Sequence, residues 1–332
     1  MKYKLLAWVP ARAVAVAMLT LGALGAQPAH AEFPDRPLRI VVPFTPGGGT
    51  DIVARQLAKG LTDELGQSVI VENRPGGSTI IGTENVAKSP PDGYTMLMAT
   101  FAHAVNPAIH KKLPYDTERA FAPVALIGKS PNVLVVSPNS KFKFKSVQDI
   151  LTYARANPGK LTFGSYGNGT SAHLAGELFK SLAKVDILHV PYKGSGPGIN
   201  DLIGGQIDMI FSTSASVSGQ VKNDQLRALA VTTQDRSPSY PGVPTVAEAG
   251  VPGYYVDSWY GVFVAQGTPG AVIDRLNAAI KNVSTKPDFQ AALELEGLVA
   301  SVGTPAALGE YVKQEEARWS KIVREAGITD NP

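Results

Sequence analysis

Leu38-Arg39-Ile40-Val41-Val42-Pro43-Phe44-Thr45-Pro46-Gly47-Gly48-Gly49-Thr50-Asp51 is the stretch whose reading decides the fold. Its first five residues are mostly apolar, as in a strand buried on both faces of a parallel sheet. A Gly-rich loop runs from Phe44 to Asp51, and Val53, Leu57, Leu61 and Leu65 then recur at helical spacing. Val69-Ile70-Val71 reads as the next strand and Tyr94 to Ala99 as the one after. Between them the turn-rich Arg74-Pro75-Gly76-Gly77 precedes a helical stretch from Ile80 to Val86. This βαβαβ order implies parallel strands joined by crossover helices.

A second series follows. Strands are expected at Val133–Val136, Leu161–Phe163, Ile187–Val190, Ile207–Phe211 and Leu226–Val231. Ser146 with Asp149 reads as a capping box at the start of a helix carrying Val147, Ile150, Leu151 and Ala154. Leu174, Leu178 and Leu182 mark another helix, and Ile199 to Ile203 a shorter one. Tyr254 to Val264 is extended, and the remainder is helical from Pro269, Pro287 and Pro305, each suited to a helix's first turn. The fold class is therefore α/β with two α/β domains. Residues 32–132 plus 253–332 form the first and 133–252 the second, with the chain crossing over twice. The cleft between them is the expected ligand site.

The N-terminus reads as an export signal. Lys2, Lys4 and Arg12 precede any acidic residue, an apolar stretch runs from Ala13 to Ala26, and Ala29-His30-Ala31 is a small-x-small cleavage pattern. The apolar stretch is shorter than the roughly 20 residues of a membrane span, and Gln27-Pro28 ends it. Residues 1–31 are thus a signal peptide, and the mature protein is periplasmic and soluble. The chain carries 31 basic and 28 acidic residues. Removing Lys2, Lys4 and Arg12 leaves the charges balanced, so no basic face for nucleic acid is implied. The sequence has no cysteine, which excludes disulfides, thiolate catalysis, Cys-based metal sites and a lipoprotein anchor.

Three loops stand where ligands bind in such sheets, at strand ends facing helix N-termini. They are Pro43–Asp51, Gly164-Ser165-Tyr166-Gly167-Asn168-Gly169-Thr170-Ser171-Ala172-His173, and Pro191-Tyr192-Lys193-Gly194-Ser195-Gly196-Pro197. Their glycines leave backbone N–H groups open to an anion, although tight βα turns alone also use glycine. None contains G-x-x-x-x-G-K-[ST], and no G-x-G-x-x-G opens a helix after the first strand, so nucleotide cofactors are not expected. No cofactor or metal is expected at all.

The segments FPDRPLRIVVPFTPGGGTDIVAR (33–55), VENRPGGSTIIGTENVAKSPPDGYTML (71–97), LPYDTERAFAPV (113–124), GSYGNGTSAHLAGELFK (164–180), VPYKGSGPGINDLIGGQIDMIF (190–211), LRALAVT (226–232) and VPTVAEAGVPGY (243–254) carry a family resemblance. Over essentially the whole mature chain the sequence resembles the Bug family, substrate-binding proteins of tripartite tricarboxylate transporters. The resemblance implies a type II periplasmic-binding-protein fold and a monomer that takes a small organic acid to membrane transporter subunits. Di- and tricarboxylates, acidic amino acids and aromatic acids are the implied ligands. It further implies that Phe44 to Asp51 holds one carboxylate, partly through water, and that Ser165 to Thr170 hydrogen-bonds the ligand directly. Tyr166 departs from the small residues expected at its position.

The candidate ligand-binding residues are Phe44, Gly47, Gly48, Thr50, Ser78, Thr79, Thr100, Ser165, Tyr166, Gly167, Asn168, Gly169, Thr170, His173, Lys193 and Ser195. Phe44 either covers the ligand or fills core. Thr50, Ser165 and Thr170 are hydroxyl donors at helix starts, where capping and ligand contact coexist. His173 suits a structural hydrogen bond better than ligand contact, and Lys193 is the one cation in the three loops. Asp51, beside an anion site, reads as a loop organiser, and Trp259 as core. Two other functions compete. A hydrolase would need Ser165 and His173 as nucleophile and base, yet no G-x-S-x-G elbow and no H-E-x-x-H pattern is present. A ligand sensor would present the same closed form to a membrane receptor. N-terminal sequencing of the exported protein is expected to begin at Glu32; a chain that still begins at Met1 would show that the segment is not cleaved.

Overall fold

The computed structural model describes residues 33–295, 297–325 and 327–328, so the signal segment and its cleavage point lie outside the described residues. The first unit is β1 (Leu38–Val42), α1 (Gly49–Leu65), β2 (Val69–Asn73), α2 (Ile80–Ala87), β3 (Thr95–Thr100) and α3 (Phe101–Ile109). β1 pairs in parallel with both β2 and β3. α1 buries Val53, Leu57 and Leu61 completely, the stripe that its periodicity predicts. It ends at Gly66, whose left-handed φ of 67° lets its N–H return to the Thr62 carbonyl at 3.1 Å.

β4 (Phe121–Val136) is sixteen residues long and belongs to two sheets. Residues 121–131 pair with β9 (Asp257–Ala265), and β9 pairs in turn with β3. From Asn132 onward β4 pairs instead with β7 (Met209–Thr213) and β8 (Arg227–Val231). The second sheet is completed by β5 (Thr162–Ser165) and β6 (Leu188–Pro191), parallel to each other, with β5 also parallel to β7. Between these strands run α4 (Val147–Ala156), α5 (Ser171–Ala183), α6 (Ser195–Ile203) and α7 (Ser214–Lys222). The chain then returns through β9 to α8 (Gly270–Ser284), α9 (Pro287–Leu295), the two-residue β10 (Val299–Ala300) against β4, and α10 (Pro305–Glu325).

Several elements differ from the sequence expectation. The strand expected at Val133–Val136 begins at Phe121 and runs through Pro123 and Pro131. Proline lacks a ladder donor and argues against a central strand; the register shift between Pro123 and Ala125 absorbs the first irregularity, whereas Pro131 pairs in regular register with Asp257 at the end of the β9 ladder. α3 carries Pro107 inside it, and α7 is built on a serine-rich run of weak helix propensity; neither helix is among those expected from the sequence. The capping box is present: Ser146 Oγ accepts from the Asp149 N–H at 3.1 Å, and Asp149 accepts from the Ser146 N–H at 3.0 Å. Trp259 is fully buried and meets Tyr311 edge-on.

The two chain crossings lie side by side at Thr232, which is fully buried. Its hydroxyl accepts from the Asn132 N–H at 3.0 Å and donates to the Val256 carbonyl at 2.6 Å. Its backbone N–H donates to the Asn132 carbonyl, and the Val256 N–H donates to its own carbonyl, both at 2.9 Å. Thr232→Val keeps the shape but leaves buried backbone groups unsatisfied. A loss of about 1–3 kcal/mol is expected, read from urea unfolding, and Thr232→Ser is expected to retain most of the stability.

Candidate functional site

The loop after β1 is organised from behind by Asp51. Asp51 Oδ2 accepts from the Gly47 N–H and from Arg55 Nε, each at 2.9 Å, and Oδ1 accepts from Asn73 Nδ2 at 2.9 Å. Asn73 also donates to the Phe44 carbonyl at 3.1 Å. Burial pushes the Asp51 carboxyl up, but these hydrogen bonds and the Arg55 charge outweigh it and hold the group below its ordinary range. Gly48, not a side chain, is the N-cap of α1, so the helix's first N–H groups face the cleft.

The loop after β5 is organised by hydroxyls and imidazoles. Thr170 caps α5 by accepting from the His173 N–H at 3.4 Å, and its own hydroxyl donates to the Gly167 carbonyl at 2.7 Å. The Gly169 N–H donates to His173 Nδ1 at 3.2 Å. His173 stacks on His189 with ring centroids 4.3 Å apart, and His189 Nε2 lies 2.6 Å from Ser165 Oγ. Ser165 is wholly buried and receives the Gly167 N–H at 3.2 Å. A hydroxyl with no exposure, held inside its own loop, shapes the backbone and is not placed to attack a substrate.

Between the two sheets lie two cavities. The inner chamber, about 30 Å³, is lined by Phe44, Gly48, Gly49, Thr50, Thr100, Tyr166, Thr170, Ser171, Ser195, Thr213, Ser216, Ser258 and Tyr260. Ten of these thirteen carry a hydroxyl and none carries a charge. Five helices begin at its wall: α1 at Gly49, α3 just after Thr100, α5 at Ser171, α6 at Ser195 and α7 just after Thr213. Each helix start carries about half a positive charge on unpaired N–H groups. The chamber is therefore electropositive without a cation. The outer vestibule, about 280 Å³, is lined by Pro43, Phe44, Gly76, Gly77, Ser78, Thr79, Tyr166, Gly167, Asn168, Pro191, Tyr192 and Lys193. Among the described residues no three His, Cys, Asp or Glu side chains are grouped to hold a metal.

Of the residues singled out from sequence, Gly48, Thr50, Thr100, Thr170 and Ser195 line the chamber, while Ser78, Thr79, Gly167, Asn168 and Lys193 line the vestibule. Phe44 and Tyr166 line both. Gly47, Ser165, Gly169 and His173 line neither; the hydrogen bonds above assign them to shaping the loops. Sequence reasoning missed Gly49, Ser171, Thr213, Ser216, Ser258 and Tyr260 in the chamber. A signal for two of them existed. Thr213 to Ser216 follows an apolar strand with small residues and a helix, the same local grammar as the first two loops.

The lobes meet across this chamber. The Gly49 N–H donates to Ser216 Oγ at 3.1 Å. A Cβ added to Gly48 would fall 2.5 Å from Ser195 Oγ, and one added to Gly194 would fall 2.1 Å from Thr45 Oγ1. Glycine at these two positions lets the loop after β1 and the start of α6 approach each other closely.

Residues 53–328 match the family described as "Tripartite tricarboxylate transporter family receptor". A protein of Pseudomonas sp. (strain P51), described as "UPF0065 protein in tcbD-tcbE intergenic region", is 43% identical over 300 residues, 90% of this chain and 89% of the relative. Protein BugT of Bordetella pertussis is 37% identical over 297 residues, covering 89% of this chain and 90% of its own. Among solved structures, R. palustris Rpa4515 with adipate has a TM-score of 0.86 at 37% identity, covering 89% of this chain and 99% of that one. MatC from Rhodopseudomonas palustris with bound malate has a TM-score of 0.84 at 31% identity, covering 88% and 100%. The family is described as a receptor, a further solved neighbour with a TM-score of 0.86 at 32% identity is periplasmic binding protein BugD, and the architecture is the type II periplasmic-binding-protein fold.

Three buried imidazoles make a pH dependence. Burial lowers His173 to about 3, His189 to about 4 and His103 to about 4, from 6.5. His103 packs against Phe121 and Phe263, and its Nδ1 lacks a hydrogen-bond partner. Because each folded value lies below the unfolded one, the unfolded chain binds more protons below pH 6.5. Stability is expected to fall as pH drops from about 6.5, by up to about 1.4 kcal/mol per pH unit each for His103 and His173. Asp51 and Glu72, held low, add their loss only below their ordinary values of 3.8 and 4.5. The raised Asp257 carboxyl acts with the opposite sign, near its own range. Thermal unfolding from pH 7.5 to 4.5 measures this slope, and His103→Leu is expected to flatten it.

Proposed function

This chain belongs to the tripartite tricarboxylate transporter receptor family, and on that premise we propose that it captures a small organic carboxylate between its lobes and delivers it to a tripartite tricarboxylate-type membrane transporter. The observation that carries this reading is the chamber itself: five helix N-termini and ten hydroxyls with no charged side chain. A carboxylate taken from water loses solvation worth several kcal/mol. Backbone N–H groups and hydroxyls replace that shell with charge-assisted hydrogen bonds. A cationic or strictly apolar ligand would meet the wrong end of every helix. The neighbours bound to adipate and malate give the same chemical class.

Residues 32–132 with 253–332 act in this reading as one lobe and 133–252 as the other, hinged where Thr232 joins Asn132 to Val256. The protein works in the periplasm after removal of residues 1–31, as a monomer. Delivery follows from closure: the transporter reads the closed face, and opening releases the acid.

Calorimetry with a panel of organic acids tests the binding. Gly48→Val is expected to weaken it at least tenfold, because even a Cβ there collides with Ser195 across the cleft. Lys193→Ala, at the vestibule, is expected to cost less than that, with affinity changing little between low and moderate salt. A site that survives Gly48→Val yet is abolished by Lys193→Ala is an ion pair, and the helix-terminus reading then fails.

A further inference from the structure

Phe44 from one lobe and Tyr166 from the other are the two residues common to the linings of the inner chamber and the outer vestibule. They are aromatic, and they form the partition between a hydroxyl-lined space and a roomier mouth. The Tyr166 ring is not free to swing. Its hydroxyl is hydrogen-bonded to Ser212 Oγ, itself fully buried, and the side chain is only 7% exposed. The polar tip is therefore engaged within its own lobe, and the ring is what remains to face the passage. On the other side Phe44 is half-buried, with its carbonyl fixed by Asn73.

Sizes decide what this partition admits. The chamber, at about 30 Å³ open to water centres, exceeds the roughly 10–15 Å³ of such space that one water needs. It takes about two or three waters, or one carboxylate group in their place. The atoms joined to that carboxylate must then lie level with Phe44 and Tyr166, and anything longer emerges in the vestibule of about 280 Å³ beside Ser78, Asn168 and Lys193. The vestibule has the polar groups to receive a second carboxylate or a polar tail. The faces of the Phe44 and Tyr166 rings themselves offer no hydrogen-bond partner. A hydroxyl carried there loses water and faces ring carbon, and an unpartnered buried hydroxyl is disfavoured.

Resting on the carboxylate reading above, we propose that Phe44 and Tyr166 are the specificity-determining residues, selecting acids whose atoms next to the buried carboxylate are apolar, methylene or aromatic, over hydroxy acids. The bare alternative is that Tyr166 merely fills space behind the loop. That role affects stability or every affinity alike, and it does not move a ratio between two ligands that differ only in hydroxyls.

Two matched pairs read this ratio by calorimetry or competition: succinate with tartrate, and phenylacetate with mandelate. In the second member of each pair every carboxylate has a hydroxyl on the adjacent carbon. The wild-type protein is expected to bind the unsubstituted member at least tenfold more tightly. Tyr166→Ala is expected to bring the ratio below threefold. Phe44→Ala, at a half-exposed position where folding is less at risk, is expected to lower it in the same direction. Wild-type ratios within threefold overturn the proposal while leaving carboxylate binding intact. So do ratios unmoved in both folded variants. A wild-type protein that binds none of the four acids overturns this proposal together with the reading on which it rests.

Discussion

A carboxylate leaves water only where something replaces its hydration, and the chamber of this protein offers helix N-termini and hydroxyls with no charged side chain in its lining. That constraint explains why helices begin where they do. In both sheets the parallel strands end at the cleft, so the following helices start there with first-turn N–H groups that have no partner inside the helix. Two sheets facing each other double the effect, and the antiparallel crossing strands β4 and β9 keep them facing. Side chains could not achieve the same density of donors in so small a chamber. Glycine and small hydroxyl residues are the ones that let backbone come close.

Charge is present, but one layer back. Asp51 is spent on the Gly47 N–H, Arg55 and Asn73, which fixes the loop while keeping the carboxylate's own field neutralised by the guanidinium. In the other lobe the comparable work falls to neutral imidazoles, which accept and donate inside the loop after β5 and carry no charge at neutral pH. A protonated His173 could not accept the Gly169 N–H. The depressed values of both histidines and the shape of the loop are therefore one fact seen twice.

Much of this was legible in the sequence because parallel strands buried on both faces read as continuous apolar runs and Gly-rich loops mark their ends. The βαβ order, the α1 stripe, the capping box and the role of Asp51 all follow from local chemistry. What was not legible needed tertiary context. Pro123 and Pro131 hide the first half of β4, because the register shift beside Pro123 and the place of Pro131 at the end of the β9 ladder are set by the partner strand. Pro107 hides α3, and weak serine propensity hides α7 together with Thr213 and Ser216. Four glycine, serine and histidine candidates faced away from the cleft, since residue type at a loop does not say which way the loop presents it. Tyr166 stood out as an oddity of size, but that its hydroxyl engages Ser212 and its ring divides the cleft depends on β7, nearly fifty residues later.

On the proposed function, in which the two sheets close on an anion, closure and affinity are the same free energy. The lobes touch through backbone approach and through contacts such as the Gly49–Ser216 hydrogen bond, and a single neutral hydrogen bond contributes only about 1 kcal/mol. Contacts of that kind align the lobes without locking them. The helix N-termini repel one another across an empty chamber and are reconciled when an anion lies between them. An anion therefore favours the closed form by binding it better than the open one, which is the only way that a ligand shifts such an equilibrium. The same arithmetic sets the limit on tuning. Any substitution that strengthens lobe contacts without the anion raises the closed population of the empty protein. It then presents an unloaded receptor with the face of a loaded one. A weak interface between the lobes is accordingly part of the function, and the glycines that allow close approach without adding attraction are the residues that keep it so.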